Sequence, residues 1–455
     1  MGRYLYGASV QGIQDFIFET NKLKEIVGAS EIVKSVSKEF EKISGYKEGD
    51  EHILINTAGN IKAVFDTEEE CKKVVLEFSK IISQMAYGIT LSQAVIKFNG
   101  EAKDYINELE KNLKIQRNKP SIPLDSSINI MKLNPKTARA KINQNEDMAT
   151  NKKLEAYKKI EQDETYKDLN DLSNSKNKIA VIHIDGNGLG KLIPKLKEVC
   201  GLELDEFSVK LNGATQEAFK FAKENKKVRD VILGGDDVTV ICNANDALSF
   251  TQEFLKDFEK NTKNIGALTA CAGIAYCNEK YPFHYAVDLA EALCGVAKNH
   301  SKREHSCLMF HNIQGSHFQS WDKFVEDELT ITNDKETIRC DFGAYYLDKE
   351  NEANIGDFIH TIEAYRCDDS PISRLRNWLS ELYRSDKNAK NLLNRINTIT
   401  KQNDNWNCEI MDKNLKFFDK DLSNDTLIID KDGHQKTPIY DILQILSITN
   451  IPKVK

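Results

Sequence analysis

The sequence predicts an α+β fold: two βαββαβ units in tandem, followed by a mostly helical C-terminal region. Three observations carry this. Apolar, β-branched runs bounded by turn residues occur in the same order twice, first over residues 4–98 and again over 178–276. Segments with helix-period apolar positions separate them at matching places. The tail, residues 313–455, carries a helical stripe at Ile372, Leu375, Trp378, Leu379 and Leu382.

The first unit begins with a strand at 4–10 and a helix from Gln11 to about Phe40, its apolar positions Ile13, Phe16, Ile17, Leu23, Ile26 and Val27. Gly28 predicts a break in that helix. Strands follow at 53–55 and 61–65, joined by Asn56-Thr57-Ala58-Gly59-Asn60. A helix from Glu68 to Ala86 points Val74, Val75, Phe78, Ile81 and Ile82 inward, and residues 89–98 supply the last strand. The second unit has strands at 178–184, 231–241 and 268–276, with helical regions at 190–226 and 245–260. Two split βαβ units in one chain suggest two ferredoxin-like domains side by side. Their expected limits are 1–100 and 178–312, with a charged, partly helical connector at 101–177 and the helical domain at 313–455.

The chemistry concentrates in the second unit. Val231 to Ile241 reads as a hairpin whose tip is Gly234-Gly235-Asp236-Asp237. The glycines permit a tight turn and close approach of a bulky ligand. Adjacent aspartates repel, and a site that keeps both ionised supplies cations, of which two carboxylate-bound Mg²⁺ ions are the obvious candidates. A third carboxylate, Asp185, ends the strand 178–184 and opens a glycine-rich turn at Gly186, Gly188 and Gly190. This turn is not a Walker A loop, because three residues instead of four separate Gly186 from the Gly190-Lys191 pair and Leu192 follows. It is not a dinucleotide fingerprint either, since the spacing is GxGxG. Three carboxylates at a strand end and a hairpin tip suit two-metal phosphoryl or nucleotidyl transfer. The hairpin in the first unit, Asn56 to Asn60, has no carboxylate, so only the second unit can hold metals this way.

At this point the chain resembles the large polymerase-like subunit of type III CRISPR effector complexes. The residues that carry the resemblance are the GGDD hairpin, Cys271-Ala272-Gly273-Ile274-Ala275, Lys280-Tyr281-Pro282-Phe283 and the helix end Leu293 to Lys298. Gly12-Ile13-Gln14-Asp15-Phe16-Ile17 and Gly28-Ala29-Ser30 are similar to that subunit's first, non-catalytic palm. The resemblance implies two palm domains and a synthase that joins ATP through 3′–5′ bonds into cyclic oligoadenylate second messengers. It implies that Asp185, Asp236 and Asp237 bind two Mg²⁺ or Mn²⁺ ions and that Lys298 contacts triphosphate. Gly186, Gly188, Gly234 and Gly235, with Ser30 and Gly59 in the first palm, would line the nucleotides, one ATP to each palm. Partners the resemblance implies are guide or target RNA and neighbouring effector subunits; a stand-alone homologue in another defence system and a homo-oligomer stay open beside them.

Departures from the family's pattern narrow these expectations. The nuclease domain that often precedes the first palm depends on a His-Asp dipeptide. The chain has none, so that activity is not expected. Cys271 stands where relatives often carry Ser, which leaves base choice open. Two other readings therefore stand beside the synthase: a diguanylate-type cyclase acting on GTP, and a nucleotide-binding scaffold without turnover. Against the first, Asp237 and Val238 stand where the diguanylate pattern has Glu and Phe. Against the second, three intact carboxylates form a like-charge cluster that a retired site does not need.

Composition sets the remaining bounds. With 455 residues, 40% hydrophobic and 29% charged, the chain is an ordinary multidomain protein, and its net charge of −7 argues against a generally basic nucleic-acid binder. No leader and no membrane-length apolar run is evident, so a cytoplasmic location is expected. Ten cysteines without a CxxC pair read as reduced thiols. Lys111, Lys114, Arg117, Lys119, Lys132, Lys136, Arg139 and Lys141 face Asp125 alone between 111 and 141. That run could contact RNA phosphates, although a solvated connector is the simpler reading without interleaved aromatics. His300, His305, Cys307, His311 and His317 match no zinc spacing, and Lys302 or Arg303 suit phosphate contact better. His183, two residues before Asp185, is read as support for the site.

Overall fold

The computed structural model describes residues 2–47, 49–57, 59–119, 130–160, 166–315, 320–332 and 337–450. Asp125 and His317 lie outside the described residues. The chain forms two compact units: Met1–Asp171 with Ile193–Gly213 and Pro282–His284, and Leu172–Leu192 with Ala214–Tyr281 and Tyr285–Lys455.

In the first unit, β1 (Arg3–Gln11) is followed by β2 (Ile53–Asn56), β3 (Asn60–Phe65) and β4 (Thr90–Phe98). They pair antiparallel in the order β2-β3-β1-β4, the ferredoxin-like arrangement expected of a βαββαβ chain. Alternation along the strands supplies two cores. Tyr6, Ala63 and Phe65 face Phe40 and Phe78 of helices Leu23–Ser44 and Glu68–Met85. On the other side Leu5, Val64, Ala94 and Ile96 pack against Leu109 and Leu113 of helix Ile106–Arg117.

The helix expected over Gln11–Phe40 is two helices, Ile13–Phe18 and Leu23–Ser44, and the break falls at 19–22, not at Gly28. Gly28 lies inside the second helix, where a Cβ would stand 1.8 Å from the Lys153 carbonyl oxygen of helix Met148–Ile160. The glycine serves close helix packing, a role that looks identical to a helix break in sequence.

The second unit repeats the topology. β5 (Lys178–Gly186), β6 (Val228–Gly234), β7 (Asp237–Asn243) and β8 (Ala270–Asn278) pair antiparallel in the order β8-β5-β7-β6, and β9 (Cys307–Asn312) joins β8 in parallel. Helix Phe283–His300 makes the crossover between β8 and β9. The single helical region expected at 190–226 is interrupted instead. Pro194 lacks an amide hydrogen and Gly201 takes φ +67°, leaving short helical pieces before helix Leu204–Lys223.

The tail carries helices Trp321–Glu328, Ile355–Tyr365, Ile372–Leu382, Asp386–Thr400, Cys408–Lys416 and Ile439–Ile448. Unanticipated were β10 (Thr330–Thr332), β11 (Thr337–Arg339), β12 (Tyr345–Tyr346), β13 (Ile429–Lys431) and β14 (His434–Lys436). Segments this short have no readable period. β12 extends the large sheet beside β9, and the other four form a small sheet ordered β10-β11-β14-β13. Among the described residues no helix is long and apolar enough to cross a membrane.

Two side chains just before β5 tie it to the end of the tail. Lys176 Nζ donates to the carbonyls of Leu446 (3.3 Å), Ser447 (2.9 Å) and Thr449 (3.1 Å), and Asn174 Nδ2 to that of Ile448 (2.8 Å). Together they cap the carbonyl end of helix Ile439–Ile448.

His311, on β9, is fully enclosed by rings, with Phe324 at 4.7 Å and Trp321 at 5.3 Å, and its Nδ1 is buried without a hydrogen bond. Burial pushes its pKa down to about 3. The unfolded chain therefore takes up a proton below about pH 6.5 that the folded chain refuses until about pH 3. Stability contributed by neutral His311 is full above pH 6.5 and lost as pH falls. From pH 7.5 to 5 the loss expected from His311 is about 2 kcal/mol, and urea titrations at the two pH values should show the difference in stability changed by that amount in His311→Phe relative to wild type.

Candidate active site

The site assembles where β5 ends. Strand register sets Asp185 opposite Asp237 on β7 and opposite Cys271 on β8. β6 and β7 are joined by a two-residue loop, Gly235-Asp236, with Gly234 paired to Asp237. Gly235 takes φ +62° at the first loop position, a conformation that favours glycine. Its carbonyl accepts a hydrogen bond of 2.5 Å from Thr215 Oγ1, a contact with no motif to announce it.

Gly186 lets the hairpin tip close on the strand end. Its amide donates to the Asp236 carbonyl at 3.2 Å, and a Cβ there would stand 2.8 Å from Asp236 Cβ. Gly188 has φ +73° and accepts from the Lys191 amide at 2.9 Å, turning the chain into the short helix Leu189–Leu192. Gly234 has nothing within 4 Å of a built Cβ, so the tip is bare.

Lys298 is 5% exposed, and its Nζ lies 2.5 Å from Asp185 Oδ2 and 2.9 Å from the Gly186 carbonyl. It reaches them because helix Phe283–His300 lies against β8 at Gly273, where a Cβ would stand 1.9 Å from the Ala290 carbonyl oxygen.

The carboxylates are poorly compensated. Burial, then the charge of Asp185, raises Asp236 to about 6, and its carboxyl is within hydrogen-bond reach of Asp185. Asp237 is raised to about 7 by burial, with Asp185, Asp236 and Glu291 adding repulsion. One of its oxygens, Oδ1, is buried with no hydrogen-bond partner, while the side chain as a whole stays 45% exposed through the rest of the carboxylate.

His183 supports from the same face of β5. Its Nδ1 lies 3.1 Å from Thr239 Oγ1 and 3.6 Å from Asp237 Oδ1. Burial lowers its pKa to about 4, so the ring is neutral at physiological pH.

Asn187 was missed in the sequence, although it sits between two of the noted glycines. It is 4% exposed, and its Nδ2 donates to Thr269 Oγ1 (3.0 Å), Cys271 Sγ (3.3 Å) and the His305 carbonyl (3.4 Å). Cys307 lies 3.6 Å from Cys271, Sγ to Sγ, and with Ser301 and Asn187 it holds the Cys271 thiol below the usual range. Lys302 and Arg303 follow the Lys298 helix in left-handed conformations (φ +52° and +62°), both exposed. Ser30 and Gly59 belong to the first unit: Ser30 is buried in helix Leu23–Ser44, and the Gly59 carbonyl accepts from Val10 N at 3.0 Å.

Among the described residues no group of three or more His, Cys, Asp or Glu side chains is already arranged as a metal cage. The Lys298 ammonium sits on Asp185 instead. The donor set nevertheless fits a hard divalent cation, being carboxylate oxygens, one of them buried and unpartnered.

Residues 178–307 match the family model for Cas10/Cmr2, second palm domain. No curated protein matches the chain in sequence. Among solved structures, a Csm1–Csm4 cassette in complex with AMPPNP is similar at TM-score 0.58 and 13% identity, covering 98% of this chain and 70% of that one. The Csm1–Csm4 cassette in complex with cA4 gives TM-score 0.55 at 13% identity, covering 98% and 69%. Csm1 of T. onnurineus gives TM-score 0.56 at 14% identity, again 98% and 69%. At these identities the likeness is one of fold.

Proposed function

We propose that this Cas10-like chain, with a Cas10/Cmr2-type second palm domain at residues 178–307, joins ATP through 3′–5′ bonds into cyclic oligoadenylates and releases pyrophosphate. The observation that carries the reading is the meeting of Asp185, Asp236 and Asp237 at one strand end with a single buried cation, Lys298, beside them. Three carboxylates against one ammonium leave a site that favours further positive charge.

Asp185, Asp236 and Asp237 would hold two Mg²⁺ or Mn²⁺ ions. When bound, such ions acidify a 3′-hydroxyl and neutralise charge on the attacked and leaving phosphate oxygens. The chain's own residues do the rest. Lys298 holds Asp185 and would shift onto triphosphate oxygens. Gly234 and Gly235 keep the hairpin tip free of side chains so that an α-phosphate can approach it. Gly186 and Gly188 shape the turn beside them. Neutral His183 holds Thr239 without taking the proton itself. One ATP is proposed for each palm, with Ser30 and Gly59 contacting the one in the first.

AMPPNP and cA4 in complexes of the structurally similar Csm1–Csm4 cassettes support a nucleotide substrate and a neighbouring effector subunit as partner. A role in RNA-guided antiviral defence, with guide or target RNA nearby, follows from the same reading.

The test is to incubate the chain with equimolar ATP, GTP, CTP and UTP and either Mn²⁺ or Mg²⁺, resolving products by mass spectrometry. Cyclic adenylates are expected. Cyclic guanylates would move the chain to a diguanylate-type activity. No product, alone or with RNA and lysate added, would leave a nucleotide-binding scaffold.

A further inference from the structure

The two βαββαβ units correspond position by position at their strand ends. Asp185 stands opposite Asp237 and Cys271; Ser9 stands opposite Asn60 and Ser92. The next amide donates to the hairpin tip in both, Gly186 N to the Asp236 carbonyl at 3.2 Å and Val10 N to the Gly59 carbonyl at 3.0 Å. Ser9, Gly59 and Asn60 therefore occupy the places of Asp185, Asp236 and Asp237, and none of the three is a carboxylate.

The correspondence extends to the cation. Each unit lays the helix after its last palm strand against the same face of the sheet. Helix Phe283–His300 brings Lys298 onto Asp185. Helix Ile106–Arg117 packs Leu109 and Leu113 against Gly7, two residues from Ser9, and Arg117 Nη2 donates to Ser9 Oγ at 2.7 Å. Arg117 is otherwise exposed. It has five N–H donors, and none of Ser9, Gly59 and Asn60 offers a carboxylate to receive them.

Opposite Ser9 in the strand register, Asn60 Oδ1 is buried without a hydrogen-bond partner. A spare acceptor suits a hydroxyl or amine donor, and a guanidinium suits phosphate.

We propose that Ser9, Gly59, Asn60 and Arg117 form a metal-free nucleoside-triphosphate subsite, in which Arg117, fixed by Ser9, balances the phosphate charge that divalent cations balance in the other unit. This rests on the proposed reading of one ATP to each palm and adds how the first palm holds its own. The first-palm nucleotide is thus retained without divalent cations, through a residue far from the acidic hairpin in sequence.

The experiment uses the full chain carrying Asp236→Asn/Asp237→Asn, with ATP and adenosine binding measured by equilibrium dialysis in EDTA. ATP is expected to bind at one equivalent. Adding Arg117→Ala is expected to weaken ATP by on the order of 10- to 100-fold while leaving adenosine affinity and melting temperature unchanged. Arg117→Lys is expected to fall between. Loss of all ATP binding in EDTA, or equal affinity in the Arg117→Ala chain, would overturn the proposal. EDTA-resistant, Arg117-dependent binding, together with no cyclic product from the chain with Asp236 and Asp237 intact under Mn²⁺ or Mg²⁺, would sink the synthase reading and leave the subsite standing. Cyclic product without such binding would do the reverse.

Discussion

The Asp236→Ala/Asp237→Ala chain is expected to make cyclic product at about 10⁻³ of the wild-type rate or less, measured by mass spectrometry under saturating ATP and Mn²⁺. The expectation for its stability runs the other way. Asp236 and Asp237 are held near 6 and 7, above ordinary carboxylates, chiefly by burial and by the neighbouring Asp185 charge. Without bound cations they cost the fold stability that is lost progressively from about pH 4 to 7 and stays lost above it, because across that window the fold retains protons that the unfolded chain has released. Removing both carboxylates therefore leaves the melting temperature at neutral pH equal or higher. A lost activity with an unchanged or raised melting temperature identifies the pair as chemical. A lost activity with a lowered one would identify it as structural.

Gly273→Ala is expected to have the largest effect on folding. The added Cβ would meet two backbone atoms, the Ala290 carbonyl oxygen at 1.9 Å and Cys294 N at 2.5 Å, so no side chain can rotate aside. The helix itself must move off the sheet. Overpacking of this kind costs about 3 kcal/mol, or roughly 6–12 °C in melting temperature for a unit of this size. The displaced helix carries Lys298, so calorimetry should show the lower transition and the product assay a parallel fall. Gly234→Ala is the contrast. Open space surrounds that position, and its melting temperature should stay within about 1 °C of wild type.

The fold was legible wherever hydrophobic period was long enough to read. β1 to β8 and the helices between them follow period-two and period-3.6 patterns set by burial on one face. Gly28 defeated the reading because a glycine says nothing about what lies opposite, and here it is the Lys153 backbone. The strands of the tail are two or three residues long and carry no period. Asp236 and Asp237 are adjacent in sequence and could be seen directly, and Asp185 announced itself by ending an apolar strand. The groups around them were different. Thr215 reaches Gly235 across 20 residues and Arg117 reaches Ser9 across 108, and neither pair has a spacing rule. Asn187 lay inside the glycine turn, and its small polar type was the only signal of a buried role.

The caps that Asn174 and Lys176 place on helix Ile439–Ile448 bear on how the protein is made. The strand bearing Asp185 leaves the ribosome long before its root can be secured, since the Asn174–Ile448 contact spans 274 residues. At usual synthesis rates that interval lasts roughly 14–55 s. A nascent chain stalled short of the tail would display the GGDD hairpin with β5 unmoored at its base. If the chain has the proposed synthase activity, that activity is expected to wait until the tail is translated, so premature termination is expected to yield silent fragments and not unregulated ones.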